Sequence, residues 1–459
     1  MTSRLIPESR TRRLNDHDPV DGKYVLYWMR HSQRSEQNHA LEFAVRRAND
    51  LGKPLLVGVG IGDDPSVRTE RQMRFQLEGL HETVGALQRR NIAMVVRKES
   101  PIDVAMKLVG DACEVVCDRG YLRHDRRWVD RFQREANRPV WQIESNVIVP
   151  VEMASDDREY AARTIRSQLQ EAAEKTLDEL ATTPVDNTAD GLSVNGIDLD
   201  DLDSCVQSLD LDHTVAKCDE FDGGTSQARS RLNAFLSDSL DEYRDDISVI
   251  QPHCSMLSPY LHFGQISPLK VALEVRQAGA NRESTADFIE ELLVRRELAI
   301  NFVYFDSDYD GLDCLPDWAR KTLEKHESDP RPDHYTASEL EDGQTDDPVW
   351  NAAMTEMRCR GYLHNHLRMY WGKRILGWTN TIQHAYRVTL DLNNKYFYDG
   401  NDPNSYANVA WVFGNHDRAF GERDVFGKVR TMSASGLDRK IDTDAYVRSI
   451  AERFAASKA

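Results

Sequence analysis

The chain contains no run of about 18 apolar residues, which excludes a hydrophobic transmembrane helix. Its first twenty residues, MTSRLIPESRTRRLNDHDPV, lack the apolar stretch of a secretory signal. Seven cysteines, an odd number with no C-x-x-C pair, fit neither a disulfide framework nor a cysteine-rich zinc module. They fit a reduced, cytoplasmic protein whose thiols pack as small side chains. No internal repeat is visible. Positive charge is also short: 58 Lys and Arg stand against 76 Asp and Glu, for a net charge of −18. A uniformly basic nucleic-acid binder is thereby excluded, because phosphate contacts need positive charge. A basic face is not excluded. Lys428, Arg430, Arg439 and Lys440 fall in one short stretch, while acid concentrates in 176–225 and 306–347.

At 459 residues and 40% hydrophobic, the chain can bury the cores of two domains. Residues 1–22 read as a flexible N-terminal tail. Residues 23–150 alternate apolar strands (YVLYWMR, PLLVGVG, IAMVVR, CEVVCD, PVWQIE) with amphipathic helices. That alternation predicts an α/β domain built on a doubly wound parallel sheet, Rossmann-like in class. Residues 151–226 read as a connector, acidic in its later part and partly disordered or loosely docked. Residues 227–459 show helical periodicity almost throughout, over 227–244, 267–279, 285–304, 317–326, 348–378 and 380–395. They predict an all-α C-terminal domain.

Several motifs carry candidate chemistry. GVGIGD (58–63) fails as a dinucleotide fingerprint, because Asp63 stands where the third glycine belongs. SMLSPYLHFGQISP (255–268) describes a polar turn entering a helix, which suits either a phosphate or an ordinary Ser–Pro cap. FIEELLVRRELAINFVYF (288–305) carries a charged band. Its plain reading is an i,i+4 pair of Glu291 with Arg295. HNH (364–366) is a poor metal motif, since i and i+2 do not face each other on a helix. Trp371 and Trp378 lie seven residues apart, about 10.5 Å of helical rise on one face. With Trp350 they form either core packing or a line of oxidisable indoles. DGNDPNSYANVAW (399–411) reads as a polar loop.

The stretches SMLSPYLHFGQISP, EELLVRRELAINFVYF, DPVWNAAMTEMRCRGYLHNHLRMYWGKRILGW and LNNKYFYDGNDPNSYANVAWVFGNHDRAFGERDVFGKVRTMS closely resemble the class II cyclobutane pyrimidine dimer photolyases. So do the N-terminal YVLYWMRHSQRSEQNHAL and ERQMRFQLEGL. The resemblance runs in order over 24–170 and 227–442. It departs most in the acidic connector.

The resemblance implies light-dependent repair of pyrimidine dimers in UV-damaged DNA by a cytoplasmic, monomeric enzyme. Reduced FAD would donate an electron to a flipped-out dimer and receive it back after the ring splits. Tyr243, Ser255, Leu257 and Ser258 match phosphate-side FAD contacts. Asn365 and Arg368 match residues beside the isoalloxazine, with Asp399, Asp402 and Asn404 in the acidic loop near them. Asn393 matches the asparagine facing flavin N5. Trp371, Trp350 and Trp378 match the photoreduction chain, with Trp371 nearest the flavin. Glu291 matches the glutamate that hydrogen-bonds the damaged bases, and Trp411 the aromatic packed on the dimer. Lys428 and Arg430 match a basic hairpin that enters the duplex. Arg295 stands on the DNA side, where some photolyases have a second aromatic wall. The α/β domain would hold an antenna chromophore, a deazaflavin or a folate, and no metal is implied. Two rivals stay open: a cryptochrome-type flavin photoreceptor, and a dark nucleotide-binding protein.

Overall fold

The computed structural model describes residues 6–245, 248–250 and 252–454. Its N-terminal half is organised by a six-stranded sheet of β1 (Thr11–Arg13), β2 (Tyr24–Trp28), β3 (Leu55–Gly60), β4 (Ala93–Arg97), β5 (Ala112–Asp118) and β6 (Val140–Ile143). The spatial order is β1-β6-β5-β2-β3-β4. All neighbouring pairs are parallel except β1 with β6. Strands β2, β3 and β5 are buried along their whole length, which is why they read as unbroken apolar runs. Four helices follow the strands: α1 (His39–Leu51), α2 (Glu70–Gln88), α3 (Pro101–Leu108) and α4 (Arg123–Glu135). Their boundaries have local causes. Asn38 caps α1 through the Leu41 N–H, and Gly52 ends it in the left-handed region at φ 62°. The chain reverses direction of travel across the sheet between β2 and β5. The carboxyl ends of these strands therefore face a crevice of the kind that holds ligands in open α/β sheets.

Two expectations need correction. Residues 6–22 are not a loose tail. The buried Arg10 guanidinium donates to the carbonyls of Glu144, Val147 and Ile148, at 3.0, 3.1 and 2.5 Å. Thr11–Arg13 then adds the antiparallel edge strand. (Residues 1–5 lie outside the described residues.) The connector is not loosely docked either. Ala162–Thr176 is a helix with Ile165 and Leu169 fully buried. Further on, Ile197 N–H bonds Val96 O, Arg71 N–H bonds Val215 O, and Phe221 is fully buried. An acidic, aromatic-poor composition hid these few apolar anchors.

The C-terminal half is helical. Two expected elements differ in detail. The span 348–378 is two helices, Pro348–Arg360 and Asn365–Trp378, because Gly361 turns left-handed at φ 66° and closes the first. A Cβ at Gly361 would come within 2.7 Å of the Tyr398 ring. The stretch 399–411 is a turn followed by a helix, Pro403–Val412, not a loop. Asp402 caps that helix by accepting the Asn404 N–H, with Pro403 in its first turn. No described helix is long and apolar enough to cross a membrane. All seven cysteines are free thiols.

Candidate active site in the helical half

A cleft of about 290 Å³ opens in the helical half. Twelve residues singled out in the sequence line it: Tyr243, Ser255, Leu257, Ser258, Glu291, Asn365, Arg368, Trp371, Asn393, Asp399, Asp402 and Asn404. They come from segments far apart in the chain. The turn before helix Ser258–His262 supplies Ser255 and the helix start supplies Ser258, with Met256 between them at φ 51°, a strained backbone of the kind stored at functional sites. Helix Asn365–Trp378 presents Asn365, Arg368 and Trp371 at three-residue spacing, hence on one face. Asn393 comes from the end of Ile382–Tyr396. Its amide donates to Asn394 Oδ1 at 3.0 Å, and the same oxygen accepts the Asn401 N–H, so the asparagine is tied to the turn beside it.

The charged groups are held in place. Arg368 donates Nε–H to the Leu363 carbonyl at 2.9 Å, lies over the Phe397 ring at 3.9 Å and pairs with Asp399 at 3.3 Å. Asp402 is buried and lies 3.1 Å from His262 Nδ1. Burial works against its charge. The His262 hydrogen bond and the nearby Arg296 overcome this and hold the carboxyl at about 2. Glu291 reaches the open cleft from one turn of π-helix, Glu290–Arg295. Such a turn re-aims side chains and recurs at functional sites. Burial on the protein side raises the Glu291 carboxyl above its ordinary value, with Arg295 pulling the other way. Arg295 pairs with Glu290 at 3.4 Å, and Arg166 grips Glu290 with two bonds of 2.9 and 2.7 Å. The plain reading of Glu291 as a partner of Arg295 in an i,i+4 ion pair is therefore not what the fold builds.

The remaining residues stand around the cleft. Trp350 stacks on Trp371 with centroids 6.5 Å apart and planes 7° from parallel. Trp378 meets Trp350 edge-on at 5.3 Å. Trp411 precedes the cleft-lining Val412, and the Arg295 guanidinium lies 5.4 Å above its ring. Lys428 and Arg430 are not in the cleft. They follow a tight hairpin closed by reciprocal Arg423–Gly427 backbone bonds, with Lys428 exposed. Sequence reasoning passed over His262, Arg296 and Asn408. Each has a legible signal: His262 lies inside the serine motif, Arg296 beside Glu297 in the charged band, and Asn408 one turn beyond Asn404.

A second, much tighter cavity of about 60 Å³ lies beyond the carboxyl ends of β2 and β3. Met29, Arg30, Gly60, Gln76 and Asn401 are among its lining residues. His262, Arg296 and Asp402 line both cavities and so form part of the wall between them.

Residues 25–186 match the family model described as DNA photolyase. The chain is 44% identical to the deoxyribodipyrimidine photo-lyase of Methanothermobacter thermautotrophicus, covering 97% of this chain and 99% of that protein. The fold is shared with the bacterial class III photolyase of Agrobacterium tumefaciens, at TM-score 0.73 and 18% identity over 95% of this chain and 88% of that one. It is shared also with the archaeal photolyase of Sulfolobus tokodaii, solved with two FAD molecules, at TM-score 0.69 and 15% identity over 93% and 89% of the two chains. The chain belongs to the deoxyribodipyrimidine photo-lyase family.

Proposed function

We propose that this protein is a class II photolyase that splits cyclobutane pyrimidine dimers in DNA under blue light. The observation that carries this is the convergence on one cleft of twelve residues that come from segments far apart in the chain. The cleft suits FAD in chemistry. Leu257, Leu292, Phe397 and Val409 offer apolar surface to a flat ring system, while Ser255, Ser258 and the asparagines offer hydrogen bonds. Trp371 and His262, both in its lining, each keep a buried ring nitrogen without a hydrogen-bond partner. Reduced FAD bound there would supply the photoexcited electron for ring cleavage.

The chain's own residues would position and tune. Ser255 and Ser258 would hold phosphate oxygens. Arg368, fixed by Asp399 and Phe397, favours an anionic ring beside it. Asn393 would hold the ring's polar edge. Trp350 and Trp378 would lead electrons to Trp371 from further out. Glu291, which faces the open cleft, would hydrogen-bond the damaged bases. Trp411 would pack on them. Arg295, Lys428 and Arg430 would meet DNA phosphates, and flipping out a damaged pair costs little because its stacking is already weak. The α/β domain would hold an antenna chromophore, a deazaflavin or a folate, and the carboxyl ends of its strands are where open α/β sheets bind ligands.

The test is direct. Purified protein should release FAD on denaturation, and blue light should convert a thymine-dimer oligonucleotide to its undamaged form while a dark sample stays unchanged. Flavin without repair would favour the photoreceptor reading. A colourless protein that refuses flavin would overturn both.

A further inference from the structure

Lys373 is fully buried on helix Asn365–Trp378, two residues past Trp371, and nothing above uses it. A lysine in such a place is costly unless its charge has a purpose, and a methionine would pack there without that cost. Its Nζ donates to the carbonyl of Val412, the last residue of Pro403–Val412. That helix end carries unsatisfied carbonyls and partial negative charge, which a cation stabilises. The two helices are pressed together at this point: a Cβ on Gly372 would come within 2.8 Å of Val412 Cγ2. Beyond the helix end, Asp417 is the charge that opposes the burial cost of Lys373, while Arg430 adds to it. Asp417 Oδ2 is itself buried with no hydrogen-bond partner. The Lys373 side chain thus ties the cleft helix to the end of Pro403–Val412, the helix that carries Trp411 and leads into the segment ending at Arg430.

We propose that Lys373 is a positioning residue for the DNA side of the site. By capping Val412, it fixes the Trp411 indole and the 417–430 segment that follows against the cleft. This rests on reading Trp411 and Arg430 as contacts to the lesion and its DNA. Replacing Lys373 should therefore spoil lesion recognition without emptying the cleft.

The experiment uses the flavin-loaded protein with Lys373→Met, Lys373→Arg and Asp417→Asn. Binding is measured to one oligonucleotide with and without a thymine dimer, alongside repair yield per absorbed photon, flavin content and photoreduction rate. Lys373→Met should lower the preference for damaged DNA, or the repair yield, by about tenfold, the scale of one charged hydrogen bond. Flavin content and photoreduction should hold. Lys373→Arg should recover part of the loss, and Asp417→Asn should shift the same readouts by less. The proposal is overturned if the parent repairs while Lys373→Met matches it, or if losses simply track flavin content. Should Lys373→Met fail to fold, an Asp417→Asn protein with parental lesion preference and yield overturns it as well. A parent that neither binds nor repairs the dimer would instead defeat the functional reading beneath it.

Discussion

Trp350 donates its indole N–H to the backbone carbonyl of Trp371 at 3.0 Å, and the two rings stack 7° from parallel. The bond fixes the spacing of two oxidisable rings inside a buried wall, with Trp371 at the cleft and Trp378 beyond Trp350. If this line carries electrons, Trp371→Phe should slow photoreduction of oxidised FAD by roughly tenfold or more. Repair by chemically reduced protein should be spared. Transient absorption and a repair assay separate the two. Loss of both would assign Trp371 to packing alone.

Glu291 offers a contrasting test. It faces the cleft from the π-turn, while its neighbour Glu290 takes the ion pairs to Arg166 and Arg295. Glu291→Ala should lower repair yield several-fold, as expected for one lost hydrogen bond to substrate, with flavin content and thermal stability unchanged. Glu290→Ala should do the reverse, loosening the turn and lowering stability. Equal effects on yield would remove the distinction the geometry draws.

These residues mark how far the sequence could be read. Parallel strands buried on both faces are visible as apolar runs, so the sheet and its helices follow from pattern alone. Site residues cluster because Asn365, Arg368 and Trp371 share one helical face. The errors have physical sources. Composition makes 151–226 look loose, although single anchors such as Phe221 suffice to dock it. Asp402-Pro403 is a helix start that looks like a loop when Asp, Gly and Asn are counted without position. Arg10 has no pattern around it, since its three acceptors lie more than 130 residues away.

Arg10 is therefore a sharp stability test. Its burial lowers the guanidinium's affinity for its proton, against the pull of Glu144 and Glu297, so the side chain is held by what it bonds. Arg10→Met would leave the Glu144, Val147 and Ile148 carbonyls without this donor. The expected cost is about 2–4 kcal/mol, typical of stranding buried acceptors of a charged donor. Urea melts followed by circular dichroism would measure it. A cost near zero would restore the loose-tail reading for residues 6–22.

Glu297 makes the complementary pH prediction. Its carboxylate accepts the Ile148 N–H at 2.5 Å and the Val149 N–H at 3.1 Å, inside the core where the two halves meet. Burial outweighs these bonds and the charge of Arg296, and lifts its carboxyl from 4.5 to about 8. Between those values the folded protein keeps a proton that the unfolded chain has released. Stability from this group is thus complete below about pH 4.5 and falls as pH rises through the window, levelling above about 8. Glu297→Gln keeps a neutral acceptor and removes the titration. The variant should lose the downward slope, and its stability relative to the parent should improve steadily with pH. Denaturant melts of both proteins across the window measure this; parallel curves would mean that Glu297 is ionised throughout, with Arg296 and the two amides outweighing its burial.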